Sequence, residues 1–203
     1  MAAPASGGAH RPASGVGDVP VAIYPDRHPA SARFRRNPGA WGVAFGEVVV
    51  LVSLFLVWIE VTNRSSGVTE RVRAISNFSG QTLFFAAILG IGAGVAIAMV
   101  TSTAWRVFWA VAALALGGLC LVAAAWAVFD ASGFAWHAAN AQQFASATAQ
   151  WEMRDASARL SVALASGAVS ATAAVGAVVG LVGGALAVVG ALLSFAPPRP
   201  SPA

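Results

Sequence analysis

Four apolar blocks dominate the chain: residues 39–59, 82–100, 107–129 and 172–195. Each is close to the twenty residues that an α-helix needs to cross a hydrocarbon core about 30 Å thick. In lipid, every backbone polar group must find its partner within the protein, so such blocks are expected as helices. The first block carries a complication. In GEVVVLVSLFLVWIEV, residues 46–61, Glu47 and Glu60 bracket an apolar run that covers only roughly 18 Å as a helix. A span over 39–59, with Trp41 and Trp58 at its edges, resolves this by placing Glu60 at the outer boundary and Glu47 inside the membrane, about 9 to 12 Å deep.

Composition agrees. Of 203 residues, 58% are hydrophobic and 10% charged, where a soluble domain carries about a quarter charged residues. The expected fold is therefore an all-α membrane protein, a four-transmembrane-helix bundle with an amphipathic extracytoplasmic helix in its second outer loop. Residues 1–38, rich in Pro, Gly, Ala, Ser and Arg, read as a disordered cytoplasmic tail, 39–195 as the transmembrane domain, and 196–203 as a Pro-rich cytoplasmic tail. All twelve basic residues are arginine, and with the abundant alanine and glycine this points to a GC-rich bacterial genome.

Orientation follows from those arginines, because basic segments translocate reluctantly. Arg33, Arg35 and Arg36 precede the first span, Arg106 sits in the turn between the second and third, and Arg199 follows the fourth. All fall on one side, which predicts a multi-pass cell-membrane protein with both termini cytoplasmic. Tryptophan favours the interface: Trp41, Trp105 and Trp109 mark the inner edge, and Trp58, Trp126 and Trp136 the outer one.

The outer loops, 60–81 and 130–171, hold the water-facing mass. In the first, Val68, Val72 and Ile75 at helical spacing predict a turn or two of interfacial helix. The same loop contains two Asn-x-Ser matches, at Asn63 and Asn77, short patterns that arise readily by chance. In the second, HAANAQQFASATAQWEMRDASARLSVAL places Phe144 and Trp151 seven residues apart on one face. That face is expected to pack over the bundle end, with docking of a partner as the alternative.

Small residues repeat within the spans. Gly176, Gly180 and Gly184 form a doubled GxxxG in the fourth, and Gly90 and Gly94, flanked by Ala86 and Ala98, form a like row in the second. Where apolar side chains gain nothing by leaving lipid, close backbone approach is what joins helices. These seams are expected to pack the bundle on itself, and secondarily to engage a second copy or another membrane protein.

Chemistry-bearing residues are sparse. His10, His28 and His137 lack metal-ligand spacing, Cys120 is a lone thiol in an apolar stretch, and no span contains a histidine to activate a serine. Neither metal, cofactor, catalytic set nor nucleic-acid surface is expected. Glu47 remains, since an intramembrane acid is a functional candidate by default. Its candidate partner is Arg106, reaching inward from the turn; the acid is read first as part of a structural clamp, and then equally as a snorkelled or protonated acid without function or as part of a proton or ion pathway. The span layout is similar in outline to claudins and tetraspanins, but the outer-loop cysteines of those families have no counterpart. The expected role is a non-enzymatic structural or accessory subunit that packs laterally with itself or a larger membrane complex. A small transporter or channel component using Glu47 is the alternative.

Overall fold

The computed structural model describes residues 37–146 and 151–196. The two predicted tails lie outside that range but for their innermost residues. So do the side chains of Phe144 and Trp151, and with them the predicted docking face.

The described chain is mostly helical. Its elements run α1 (Pro38–Ser53), β1 (Val57–Asn63), β2 (Thr69–Arg73), a 3-10 turn (Ala74–Ser76), α2 (Phe78–Met99), α3 (Thr103–Phe129), α4 (Ala131–Ser146), α5 (Trp151–Ala165), β3 (Val169–Ala173) and α6 (Val175–Ser194). Three helices are long and apolar enough to cross a membrane: Ser79–Met99, Thr103–Phe129 and Val175–Ser194.

The expected first span is corrected. Asn37 caps α1 through its side-chain oxygen, which accepts from the Ala40 N–H at 3.2 Å, and Pro38 stands in the first turn, yet the helix stops at Ser53 after 16 residues. That is about 24 Å of helix. No glycine or proline ends it. Other elements capture its backbone instead: the Leu54 carbonyl accepts from Ile75 N–H at 3.1 Å, and the Trp58 carbonyl from Ala174 N–H at 2.8 Å. The β-branched run VWIEVTN then becomes the middle strand of an antiparallel sheet ordered β2-β1-β3.

Trp58 is corrected with it. The pairing of β1 with β2 slips between Val57 and Ile59, and at this irregularity Trp58 turns inward, 1% exposed, with its Nε1–H donating to the Ser53 carbonyl at 2.8 Å. Trp41 and Trp105, by contrast, are exposed in the first turns of α1 and α3, as is Trp126 in the last turn of α3.

The first outer loop is a hairpin and not the helix expected from Val68, Val72 and Ile75. Val72 lies in β2 opposite Ile59, and only Ala74–Ser76 form a helical turn, of 3-10 type. The hairpin turns through Gly67, whose φ of +69° favours glycine, while the Asn63 side chain accepts from the backbone N–H and hydroxyl of Ser65. Asn77 caps α2, accepting from Gly80 N–H at 2.7 Å. Both Asn-x-Ser matches therefore hold local backbone structure. In the second loop the single amphipathic helix is replaced by two helices, α4 and α5, packed on each other, and by β3, which completes the sheet.

Helices α1, α2, α3 and α6 pack side by side, with α1 and α3 each lying against both α2 and α6. The turn 100–102 and the start of α1 lie at one end, and the sheet with α4 and α5 forms a cap at the other. A buried cluster around Leu54, Trp58 and Phe134 joins helices to cap, and a second one around Val43, Ala93, Ile97 and Ala110 fills the turn end.

Candidate functional site

Glu47 occupies the tenth position of α1. Helical periodicity places Val43, Glu47, Val50 and Leu54 on one face, and all four are buried. Glu47 itself is 0% exposed. Its carboxylate has room because the neighbouring helices carry no side chain there: a Cβ on Gly90 of α2 would lie 2.5 Å from Glu47 Oε1, and one on Gly117 of α3 would lie 3.4 Å from it. The Cys120 thiol, one turn beyond Gly117, faces the same carboxylate. Neither carboxylate oxygen has a hydrogen-bond partner of good geometry.

Gly90 and Gly117 lie near the middles of α2 and α3. Glu47 is therefore at the mid-height of the packed helices, deeper than the position counted from the start of its span. This depth also separates the residues expected as a clamp. Arg106 is eleven residues before Gly117 on α3, about 16 Å along the axis. Its buried Nε, like both Glu47 oxygens, has no hydrogen-bond partner. An ion pair is found elsewhere, between exposed Arg71 and Glu60 at 3.1 Å across β1 and β2. An acid at such depth costs a few kcal/mol on insertion scales, and a buried polar group without a partner is uncommon enough to need a reason. Chemically, the site offers one carboxyl and one thiol in an apolar surround. Among the described residues no three His, Cys, Asp or Glu side chains converge as a metal site would require.

The predicted seams are taken up inside the chain. Gly176 and Gly180 receive the Trp58 indole, where added Cβ atoms would lie 2.5 and 2.8 Å from its ring, and Gly184 lies against Leu121 of α3. Gly90 faces Glu47, and Gly94 faces Ala40, Val43 and Ala44 of α1. A further contact, between Gly42 and Gly46 of α1 and Gly183, Ala187 and Gly190 of α6, brings the two backbones together. Two helical glycines behave otherwise: Cβ atoms on Gly92 of α2 and Gly118 of α3 would meet nothing within 4 Å.

Sequence reasoning found Glu47 but missed Gly117 and Cys120, whose i and i+3 spacing on α3 puts them on one face. The signal was present, but nothing in the sequence pairs that face with α1. The fold and site thus define a class, a helical membrane protein with a polar group sealed among its apolar helices. The chain matches no protein family, no curated protein and no solved structure.

Proposed function

We propose that this chain is a non-enzymatic, multi-pass accessory subunit of the cell membrane that packs laterally against a larger membrane complex or a second copy through the outer face of α3. In this reading the turn end is cytoplasmic, as the arginine placement favours, and the cap faces outward. One observation carries the proposal: α3 is the least covered long helix, with 28% of its apolar window buried against 44% for each of the other two, and its outer face retains an open glycine, Gly118. Val111, Ala115 and Val122 are exposed around Gly118 at helical spacing. A notch in such a stripe lets another helix approach closely, the interaction that drives association in lipid.

Purification from the native membrane in mild detergent tests the reading. A partner or second copy should co-purify, and Gly118→Leu should release it without altering thermal unfolding of the chain itself. A strictly monomeric particle without a partner, or association insensitive to Gly118→Leu, overturns it.

A second reading, a small transporter or channel component, is favoured by the Glu47 carboxylate, buried at the mid-height of the helices with the Cys120 thiol facing it. Glu47→Gln is then expected to abolish proton or cation flux in liposomes while the helix content stays unchanged. Equal flux in both proteins dismisses that role.

A further inference from the structure

The cap contains a chamber of about 200 Å³ between the sheet and helices α4 and α5. Ile59 and Val61 of β1 and Val72 of β2 form one wall. The wall from α4 consists of Gln142 and of Ala135, Ala138 and Ala139, whose methyl groups do not reach across. A sheet and helices that served only to pack would meet through interdigitated side chains. Here small residues stand where larger ones would close the space, and the contacts that would fill it are forgone.

The chemistry of the walls restricts the occupant. No charged side chain lines the chamber, so nothing there compensates an ion for lost water. Polar groups are supplied by Ser76 and Asn77, by Gln142 of α4 and by Ser157 of α5, and each serine hydroxyl is able to donate and to accept. A half-open, mainly apolar cavity with a few polar groups suits a guest that is largely apolar and carries a polar end. Ser76 immediately precedes Asn77, the cap of α2, so the chamber lies where the cap meets the apolar helices, within reach of molecules dissolved in the membrane surface.

We propose that this chamber is a binding site for a neutral, mainly apolar small molecule bearing one hydrogen-bonding group, of the class of medium-chain alcohols, esters or ketones. The site is separate from Glu47 and from the outer face of α3, and does not depend on the role given to either.

The test uses the full chain in lipid nanodiscs and a diazirine derivative of 1-octanol as photoreactive probe, with labelled positions read by mass spectrometry. Labelling is expected on α4 and on the facing strands, competed by 1-octanol and not by octanoate, its anionic counterpart. Ala138→Phe, which fills the chamber, should remove the labelling there and leave helix content and particle size unchanged. Should that variant fail to fold, Ser157→Ala, which removes the hydroxyl and keeps the volume nearly constant, should reduce competition by 1-octanol. Equal competition by octanoate, labelling confined to lipid-facing side chains such as Phe129, or chamber labelling and competition indifferent to the substitutions overturns the proposal.

Discussion

Between α1 and α6 the backbones meet: a side chain on Gly46 would run into the Ala187 amide and the Gly183 carbonyl, and one on Gly190 into the Val43 amide. Between the sheet and α4, in the same molecule, a chamber of about 200 Å³ is left open. In the proposed membrane arrangement, with the helices in lipid and the cap in water, the difference follows from the two solvents. Helices in lipid gain nothing by hiding apolar surface from an equally apolar medium, so contact itself must hold them together. In a water-facing cap, burial of Ile59, Val61 and Val72 is driven by leaving water, and it stabilises at about 25 cal/mol per Å² even where packing is incomplete.

Substituting leucine in each region should separate them. Gly46→Leu forces a bulky side chain into backbone, and with nothing flexible to move aside the expected loss is about 3 kcal/mol or more, read from detergent-titrated unfolding. Ala138→Leu grows into the chamber and should be neutral or stabilise the protein by about 1 kcal/mol. Equal losses at the two positions would show that the cap is as tightly determined as the helices.

Trp58 joins the two regions. Its indole lies over Gly176 and Gly180 of α6 and 6.1 Å from the Phe134 ring of α4, and its N–H holds the Ser53 carbonyl where α1 ends. Trp58→Ala should cost about 3–5 kcal/mol. Trp58→Phe, which retains most of the ring volume, should lose the hydrogen bond and about 1 kcal/mol with it. If Trp58→Ala destabilises only the cap, with α1 to α6 contacts retained by cysteine cross-linking, then helices and cap are independent units.

The sequence disclosed the helices more readily than the cap, for a physical reason. Hydropathy over twenty residues is a local property, so α2, α3 and α6 were visible at nearly their true limits. The end of α1 was not, because LVSLFLVWIEV contains no breaker and its fate depends on Ile75 and Ala174, partners 21 and 116 residues from the Leu54 and Trp58 carbonyls that they bind. The strand signal existed in the alternation of Ile59, Glu60, Val61 and Thr62, but it was masked by the apolar run before it. Likewise the helical spacing of Val68, Val72 and Ile75 was genuine, and strand pairing overrode it. Of the site, Glu47 was legible as an acid in an apolar block. Its depth and its neighbours depend on which helix faces which, and periodicity alone does not tell.

The smallest expected effects distinguish the two glutamates of the opening segment. Glu60 has the partner: its carboxylate receives Arg71 Nε at 3.1 Å, with side chains 37% and 73% exposed. An exposed pair of this kind couples by about 0.2–1 kcal/mol, and salt at about 1 M shortens the screening length to about 3 Å and should erase the coupling. Glu47 and Arg106 are separated by about 16 Å of helix, so a double-mutant cycle of Glu47→Gln with Arg106→Gln should be additive within about 0.5 kcal/mol at any ionic strength. A larger coupling would mean that Arg106 reaches the core acid in a second arrangement of the helices. Glu47 would then behave, against its isolation in this structure, as one half of a moving pair.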